Sequence, residues 1–346
     1  MSPRRGVVPQ QASGRRSGEP RGRFQRPRNF SRMKNEADTS GWPAFEFARW
    51  APTKRTLHLI AQVLGKVRLA LAPHQPNFTF TALYVTPNGL TTSAIPVGMR
   101  LIELQIDVFE ARITVLASDG RRREIAFAKL RSIAEIYEAV LDALKALDVD
   151  VTLSPIPQEI PDQTPLDRDD RPPVWESADA RTWLTVMSSA QGVFDRWRAP
   201  FFGRTGLQLW WGALDLALLL FTGKHVPPPL DRGYLFRYDL DAEMMNAGLY
   251  PGDDANAPFF YGYIYPEPDR CAEITIAAEG AQWSDALREW ILPYSAVQNA
   301  ANPEKLLRSF LDGIYDACSR AARWSRDDFT YAPPPLRHGR IGQRIV

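Results

Sequence analysis

The sequence predicts an α+β fold of two related halves, each with a helix, an antiparallel β-meander and a second helix. Three observations predict this class. Apolar residues recur at three-and-four spacing at the beginning and end of each half, which is typical of helices. Short stretches rich in strand-forming residues lie between these helices. The proline-rich residues 155–173 separate the two halves.

Similar short segments in the two halves suggest an internal duplication. The first half contains Leu83-Tyr-Val-Thr and Ile136-Tyr-Glu-Ala, and the second half contains Leu214-Asp-Leu-Ala and Ile314-Tyr-Asp-Ala in the same order. Two unrelated α+β halves would also produce part of this similarity. Duplication is therefore one of two explanations at this stage.

In the first half, apolar side chains from Leu57 to Leu71 follow helical spacing and predict a helix over residues 53–71 with Thr53 as its N-cap. Ser132 and Glu135 form a capping-box pattern, which predicts a second helix up to residue 147. The strands predicted for this half cover residues 78–86, 101–108, 111–117 and 149–153.

The second half is predicted to repeat this order, with a helix over residues 177–197, a β-rich region over residues 207–292 and a last helix. Asn302 and Pro303 suit the N-cap and first turn of that last helix. The predicted organisation is a basic arm over residues 1–41, α+β halves over residues 42–154 and 174–330, a linker over residues 155–173 and a tail over residues 331–346.

Charge is unevenly distributed along the 346 residues. Residues 1–34 hold nine arginines and one lysine against one glutamate, so that the remainder has a net charge of −7 within a total of +2. A functional arm of this kind would bind nucleic acid or another acidic surface. Its polar composition instead predicts disorder, and Met33 is an alternative start, so that no nucleic-acid partner is expected unless the arm is real.

The remaining composition is typical of a globular cytoplasmic protein. With 45% apolar residues, the chain is able to bury a sizeable core. Its two cysteines are far apart and form no C-x-x-C motif, which favours a reducing compartment. The longest apolar run, residues 207–221, is shorter than the ~20 residues of a membrane-spanning helix, so that no membrane partner is expected.

Familiar catalytic motifs are missing from the sequence. It contains no P-loop, no dinucleotide-binding G-x-G-x-x-G, no nucleophile elbow and no H-E-x-x-H pattern. With only four histidines, a multi-histidine metal site is not expected either. These absences disfavour P-loop ATPases, Rossmann dehydrogenases, α/β-hydrolases and zinc peptidases, and the sequence predicts neither a cofactor nor a metal.

A stripe of polar residues is predicted on the first helix. His58, Gln62 and Lys66 recur every four residues and therefore share one helix face. Their imidazole, amide and ammonium groups would suit a small polar or anionic ligand, and a histidine such as His58 is able to transfer a proton near neutral pH. The alternative is a solvated helix face with one hydrogen-bonded histidine.

Asp215 lies within the apolar run 210–221, where an unpaired carboxylate would be costly. We therefore expect a partner for it, either a structural group such as Lys224 or a ligand. Tyr263 lies between two other tyrosines that alternate along a strand and, with Trp211, suggests an aromatic wall for a flat or sugar-like ligand. The same aromatic residues are also typical of a core.

A third group of candidate residues is acidic. The carboxylates that alternate here, and are expected to share one face of a strand, are Asp239, Asp241 and Glu243. Three carboxylates would suit a hard cation, but Met244 stands where a calcium loop requires glycine, and a solvated acidic edge is the alternative. Glu243 is also a candidate general base.

Four segments of the sequence together resemble one family. They read Trp50-Ala-Pro-Thr-Lys-Arg-Thr-Leu-His, Leu83-Tyr-Val-Thr-Pro-Asn-Gly-Leu-Thr-Thr, Trp211-Gly-Ala-Leu-Asp-Leu-Ala and Phe260-Tyr-Gly-Tyr-Ile-Tyr-Pro-Glu-Pro. In this order, over residues 42–330, the chain resembles a family of mostly bacterial proteins catalogued as domain of unknown function 5996. The resemblance implies kinship but no particular chemistry, because the family has no assigned activity.

Departures from the family pattern shape the functional hypotheses. The pattern implied by the resemblance has histidines at the positions of Gln208 and Ala242 and an arginine at Leu220, so that this chain is a divergent member lacking several of the family's histidines. The first hypothesis is therefore a weakly catalytic or non-catalytic protein that binds a small molecule between its halves. The alternatives are a metal-independent hydrolase or transferase and a scaffold without a ligand.

The candidate residues have separate roles in these hypotheses. Asp215, Glu243 and His58 are the candidate catalytic residues, with Asp215 or Glu243 as general base. Gln62, Lys66, Trp211 and Tyr263 are the candidate ligand-binding residues.

Overall fold

Helices and two antiparallel sheets make up the part of the chain that the computed structural model describes, which is residues 41–231, 234–325 and 330. The α+β prediction is therefore confirmed. The α-helices are α1 (Phe47–Leu71), α2 (Ile133–Lys145), α3 (Ser177–Arg198), α4 (Tyr234–Asp239), α5 (Tyr294–Gln298) and α6 (Pro303–Ala321). The predicted arm up to residue 40, with Met33, and the predicted tail lie outside the described residues.

The strands follow the predicted order of helix, sheet and helix in both halves. Those of the first half are β1 (Tyr84–Thr86), β2 (Gly89–Thr91), β3 (Ile95–Val97), β4 (Arg100–Asp107), β5 (Arg112–Ala117) and β6 (Arg122–Ile125). Those of the second half are β7 (Gln208–Trp210), β8 (Asp215–His225), β9 (Ala242–Tyr250), β10 (Phe259–Tyr265), β11 (Gln282–Ser284) and β12 (Glu289–Pro293).

The two sheets differ in the order of their last strands. The first sheet runs β1-β2-β4-β5-β6, and β3 pairs with the same edge of β4 as β2, so that β2 and β3 are two parts of one interrupted strand. The second sheet runs β7-β8-β9-β10-β12-β11, which inverts its final hairpin. The structure therefore does not confirm an internal duplication.

The sheets meet edge to edge through one pair of residues. Leu83, just before β1, and Leu209 in β7 exchange both backbone hydrogen bonds, with N–O distances of 2.9 and 2.8 Å. One hydrophobic core continues through both halves, from the inner faces of β4 and β5 to those of β8, β9 and β10. The helices cover this inner face, and α1 packs against both α2 and α3.

Helix α1 begins earlier than predicted. It starts at Phe47, and the predicted cap, Thr53, lies inside it, where its hydroxyl accepts a hydrogen bond from the backbone N–H of Glu176 at 3.0 Å. Pro52 lies inside the helix, near its start, where the missing N–H costs one helical hydrogen bond. The buried Trp50 ring packs between Phe45 and Trp183 and stabilises this first turn through tertiary contacts.

The predicted starts of α2 and α6, which depend on side-chain caps close in sequence, are confirmed. Ser132 accepts a hydrogen bond from the N–H of Glu135, while the Glu135 carboxylate accepts one from the N–H of Arg131. Asn302 accepts from the N–H of Lys305 at the start of α6. These caps are made by residues three or four apart, so that the sequence alone contains them.

Two predicted strands were wrong in part. Residues 76–81 form a 3₁₀ segment, with Asn77 and Phe78 in the left-handed region, and the strand begins only at Tyr84. The buried Arg68 guanidinium binds the carbonyls of Phe80 and Thr92 there, which replaces strand pairing. Residues 149–153 form no strand, and the Leu153 carbonyl accepts a hydrogen bond from the Tyr137 hydroxyl.

The segment predicted as a linker, residues 155–173, packs against the helices. It contains a short 3₁₀ turn over Leu166–Arg168, in which Leu166 is fully buried against the core. Asp169 is almost fully buried and pairs with Arg55 of α1 and with Arg171.

Among the described residues, no helix is both long and apolar enough to span a bilayer.

Candidate functional site

A cavity of about 1030 Å³ lies against the outer face of the second sheet. Side chains from β8, β9, β10 and β12 form one wall of it. The end of α1, residues 152–159 and the turn after β7 complete the wall, so that both halves of the chain contribute. The main hydrophobic core lies on the other face of this sheet.

The period-two alternation of strand residues explains which side chains reach the cavity. On β8, Leu216, Leu218 and Leu220 point into the core, while Asp215 lines the cavity. On β10, Phe260 points into the core and Tyr261 lines the cavity. Polar residues that interrupt apolar strands therefore converge on one surface of the sheet.

Asp215 has a partner, as the sequence predicted, but that partner is a tyrosine. The Tyr261 hydroxyl donates a hydrogen bond to Asp215 Oδ2, while Lys224 pairs with another carboxylate. Gly248 of β9 lies under the Tyr261 ring, because a Cβ there would meet the ring and its hydroxyl at 2.6 Å. Glycine at this position therefore allows Tyr261 to reach across β9 to β8.

Burial raises the pKa of four of the five carboxyl groups that line the cavity. Burial, with the charge of Glu159, raises the pKa of Asp215 to about 7, against the hydrogen bond from Tyr261. Burial and the charges of neighbouring carboxylates also raise the pKa of Asp239 to about 7 and that of Glu289 to about 7. Burial raises the pKa of Glu159 as well. Among the described residues, no positively charged group offsets the effect of burial on these four carboxyls.

Asn246 and Trp210 present buried polar atoms at the same wall. Asn246 Nδ2 donates to the Tyr263 hydroxyl at 3.1 Å, which leaves Asn246 Oδ1 with no hydrogen-bond partner among the described residues. The indole Nε1 of Trp210 is buried and has no partner there either. Buried polar atoms are normally paired, so that these two atoms are typical of a surface that contacts a ligand.

A row of aromatic rings continues the wall at one end. The rings of Tyr250 and Phe259 have centroids 5.3 Å apart, and those of Phe259 and Tyr261 are 6.5 Å apart. Tyr250 donates to the Asp253 carboxylate at 2.7 Å. Although burial opposes it, this bond and those from the N–H groups of Ala255 and Asn256 lower the pKa of Asp253. Both oxygens of the Asp253 carboxylate therefore already accept hydrogen bonds within the protein, which indicates a structural role.

Two residues of the predicted stripe, His58 and Gln62, are buried but do not line the cavity. His58 Nε2 lies 3.0 Å from the Trp211 carbonyl and 2.9 Å from that of Gly212. Burial, then the charge of Lys54, lowers the pKa of His58 to about 4, so that it is neutral at pH 7 and donates through Nε2–H. The expected titration near neutral pH is therefore absent at this buried histidine.

Gln62 binds backbone groups on both sides of α1. Its amide nitrogen donates to the carbonyls of Gln158 at 2.8 Å and Trp211 at 3.0 Å, and its amide oxygen accepts from the N–H of Gln158 at 2.9 Å. His58 and Gln62 thus hold the residues 158 and 211–212 that border the cavity. Their position differs from the predicted one because α1 is buried on all sides by neighbouring segments.

Lys66 and Trp211 line the cavity, as the sequence predicted for them. The Lys66 ammonium donates to the Ile156 carbonyl at 2.7 Å and lies 5.6 Å from the Trp211 ring centroid. Burial lowers the pKa of Lys66 to about 8. The Trp211 indole donates to the Thr81 carbonyl at 3.0 Å, which fixes the ring between the halves.

The acidic residues predicted on one strand lie in different elements. Asp239 ends α4 and lines the cavity, Asp241 lies in the bend that follows, and Glu243 belongs to β9. A short helix breaks the alternation that the sequence suggested. Glu243 does not line the cavity, and its carboxylate lies 3.2 Å from the ammonium of Lys224.

The structure therefore brings together only some of the predicted residues. Lys66, Trp211, Asp215 and Tyr263 share the cavity wall, and His58, Gln62 and Glu243 lie outside it. Sequence reasoning did not select three further polar residues of the wall, Glu159, Asn246 and Glu289, and it considered Asp239 only as one carboxylate of an acidic strand. Asn246 and Glu289 interrupt apolar strands at outward-facing positions, as Asp215 does, and this signal could have identified them.

A family description matches most of the chain. The "Family of unknown function (DUF5996)" matches residues 42–331, which include every element of the cavity wall. The chain belongs to this family. No curated protein and no solved structure matches the chain. The family therefore supplies kinship over both halves, while the functional argument depends on the cavity itself.

Proposed function

We propose that the protein binds a small organic molecule in the cavity on the outer face of the second sheet. The observation that supports this most strongly is the composition of the wall. It combines an aromatic row with the buried, unpaired polar atoms Trp210 Nε1 and Asn246 Oδ1. A cavity of about 1030 Å³ with mainly apolar walls and a few polar groups is typical of ligand sites.

The surroundings of the cavity support a preformed site. Gln62 and His58 hold backbone groups at its border through buried hydrogen bonds, so that the wall needs little rearrangement to accept a ligand. In this proposal these two residues position the wall, and the ligand contacts Tyr263, Trp211 and the polar residues of β8, β9 and β12.

Binding is tested by thermal-shift measurements with a metabolite library on the wild type and two matched variants. Asn246→Leu removes a polar wall residue, and the control Thr114→Leu changes an outward-facing residue of the first sheet, away from the cavity. We expect compounds that stabilise the wild type and Thr114→Leu but not Asn246→Leu. Compounds that stabilise all three proteins equally would contradict binding in this cavity.

A second candidate function is acid–base catalysis by Asp215 on the bound molecule. The specific observation in its favour is the Asp215 pKa of about 7, which suits proton transfer at neutral pH. Glu243, the other candidate base, is less favoured because it pairs with Lys224 outside the cavity. Mass spectrometry of a bound compound would show conversion by the wild type and binding without conversion by Asp215→Asn.

A further inference from the structure

The charges of the cavity wall are strongly unbalanced. The wall contains five carboxyl groups, which belong to Glu159, Asp215, Asp239, Asp253 and Glu289. Its one basic side chain among the described residues is Lys66, whose ammonium already donates to the Ile156 carbonyl. The sequence suggested a small polar or anionic ligand on the basis of the polar stripe that includes this lysine. An anion would instead meet several acidic groups in a partly dehydrated space, which is unfavourable.

Three of these carboxyl groups have no partner in the part of the chain that the structure describes. Asp253 accepts hydrogen bonds from Tyr250 and two backbone N–H groups, and Asp215 accepts one from Tyr261. Glu159, Asp239 and Glu289 accept no hydrogen bond from, and form no ion pair with, any described residue. Their side chains line the cavity and are not fully enclosed by protein, so that they are accessible to a ligand there.

Acceptors outnumber free donors on the wall. Besides the three unpaired carboxyl groups, Asn246 Oδ1 is a buried acceptor without a partner. The hydroxyls of Tyr250 and Tyr261 already donate to carboxylates, whereas Trp210 Nε1 and the Tyr263 hydroxyl donate to no described residue. A complementary ligand is therefore rich in N–H donors.

The acidic groups are far apart, and this favours an organic cation over a metal ion as the ligand. No three acidic, histidine or cysteine side chains of the described chain lie close enough together to share one metal. The carboxyl groups are instead distributed around a large volume that also contains the rings of Trp210, Phe259 and Tyr263. Aromatic faces attract ammonium groups and also bury apolar carbon.

We infer that the ligand class is an organic amine, in which an ammonium group pairs with one or more of the carboxylates of Glu159, Asp239 and Glu289 and the apolar part lies against the aromatic wall. This inference rests on the proposed function and specifies the ligand. The ammonium supplies the donors and the positive charge that the wall lacks, and the aromatic row binds the carbon skeleton.

The test compares three probes with one skeleton and different head groups. Tryptamine has an ammonium group, tryptophol a neutral hydroxyl and indole-3-acetate a carboxylate. Isothermal titration calorimetry with the full chain at pH 8 is expected to show that tryptamine binds about tenfold or more tighter than tryptophol, and that indole-3-acetate binds weakest. Spermidine serves as a second amine with an aliphatic skeleton.

Variants assign the binding to the cavity. Glu289→Gln and Asp239→Asn are expected to weaken the binding of the amine that binds the wild type by about tenfold each. The exposed control Glu279→Gln, which is remote from the wall, is expected to leave the binding unchanged. Circular dichroism checks that each variant is folded. The comparison of the three probes uses the wild type alone, so that it does not depend on the folding of any variant.

The outcomes separate this inference from the proposed function. Equal or tighter binding of tryptophol or indole-3-acetate would overturn the amine inference and leave small-molecule binding intact. The absence of binding by both tryptamine and spermidine would overturn it too. If no compound of the metabolite library binds in the cavity, the proposed function itself fails.

Discussion

At the scale of single residues, buried ionisable groups define this protein. Asp215, Asp239 and Glu289 are acids that burial makes reluctant to ionise, while His58 is a base that burial keeps neutral. Lys66 and Arg68 direct their charges at backbone carbonyls of the first half and the connecting segment. These two buried basic groups are therefore engaged in structure, whereas Glu159, Asp239 and Glu289 on the cavity wall pair with no described residue.

Asp215 is expected to destabilise the fold above neutral pH. Its pKa is raised from 3.8 to about 7 in the folded state, so that folding binds a proton and stability falls as the pH rises from 4 to 7. Asp215→Asn removes this penalty. We expect its free energy of unfolding to match the wild type near pH 4 and to exceed it by about 2 kcal/mol at pH 8, measured by urea denaturation.

A second carboxylate in the same cavity provides the control. Hydrogen bonds lower the pKa of Asp253, so that it stabilises the fold above the ordinary pKa of aspartate and loses this effect only in acid. Asp253→Asn is expected to reduce stability at pH 8. A loss of stability in both variants at pH 8 would show that Asp215 is a stabilising carboxylate and would contradict the assigned direction of its pKa shift.

At the scale of elements, helix α1 is the support of the cavity wall. It is buried on all sides, and polar side chains placed along it bind backbone groups of other segments. Thr53 and Thr56 accept from the N–H groups of Glu176 and Val174, while Gln62 binds residues 158 and 211. A stripe of polar residues normally indicates a helix face in solvent. On α1 the same pattern instead binds backbone groups of buried segments.

Removal of the Gln62 amide is expected to loosen the connecting segment. Gln62→Leu leaves the N–H and carbonyl of Gln158 and the Trp211 carbonyl without this partner, at a cost of about 2–4 kcal/mol. Hydrogen exchange of the Gln158 amide should accelerate. The matched control Gln191→Leu on α3, whose side chain makes no hydrogen bond with a described residue, should change stability by less than about 0.5 kcal/mol.

Two helical glycines allow a direct test of the packing of Trp211. A Cβ on Gly65 of α1 would meet the Trp211 indole at 2.2 Å, whereas a Cβ on Gly192 of α3 meets only the flexible end of Arg196 at 3.5 Å. Gly65→Ala is therefore expected to displace the indole and cost about 1–3 kcal/mol. Gly192→Ala should stabilise by about 0.5–1 kcal/mol through helix propensity.

Urea denaturation measures both changes, and tryptophan fluorescence reports the displacement of Trp211. The two substitutions have the same chemistry in two helix interiors, so that their difference isolates the contact with the indole. Stabilisation by Gly65→Ala would mean that Trp211 adapts without cost and does not fix the border of the cavity.

At the scale of the whole molecule, short sequence patterns predict individual helices, whereas the pairing of distant segments determines which residues form the cavity wall. The starts of α2 and α6 follow from Ser132 and Asn302, because each cap is made within one turn. The start of α1 does not, because distant aromatic residues such as Trp183 stabilise it. Asp215 is recognisable alone as a polar residue in an apolar run.

The remainder of the cavity wall requires the register between distant strands. Glu289 belongs to β12 and Asn246 to β9, and the pairing of these strands with β10 places them on the two sides of Tyr263, on the sheet face that also carries Asp215. Glu159 lies in the proline-rich segment, where composition favours a linker and gives no indication of a cavity. The sequence therefore predicts single wall residues but not the acidic character of the complete wall.

The two halves are expected to unfold together. One core includes Leu104 and Val115 of the first half and Leu218 and Phe260 of the second, and the Leu83–Leu209 pair joins the sheets. Unfolding of either half would expose apolar surface of the other, so that an intermediate with one folded half is unfavourable. Native-state hydrogen exchange should therefore give the same free energy for the slowest amides of β4 and β5 as for those of β8 and β9, within about 0.5 kcal/mol. Urea denaturation by circular dichroism and by tryptophan fluorescence should give one coincident transition. Separate transitions, or slow exchange confined to one sheet, would show that the halves are independent folding units that share only an interface.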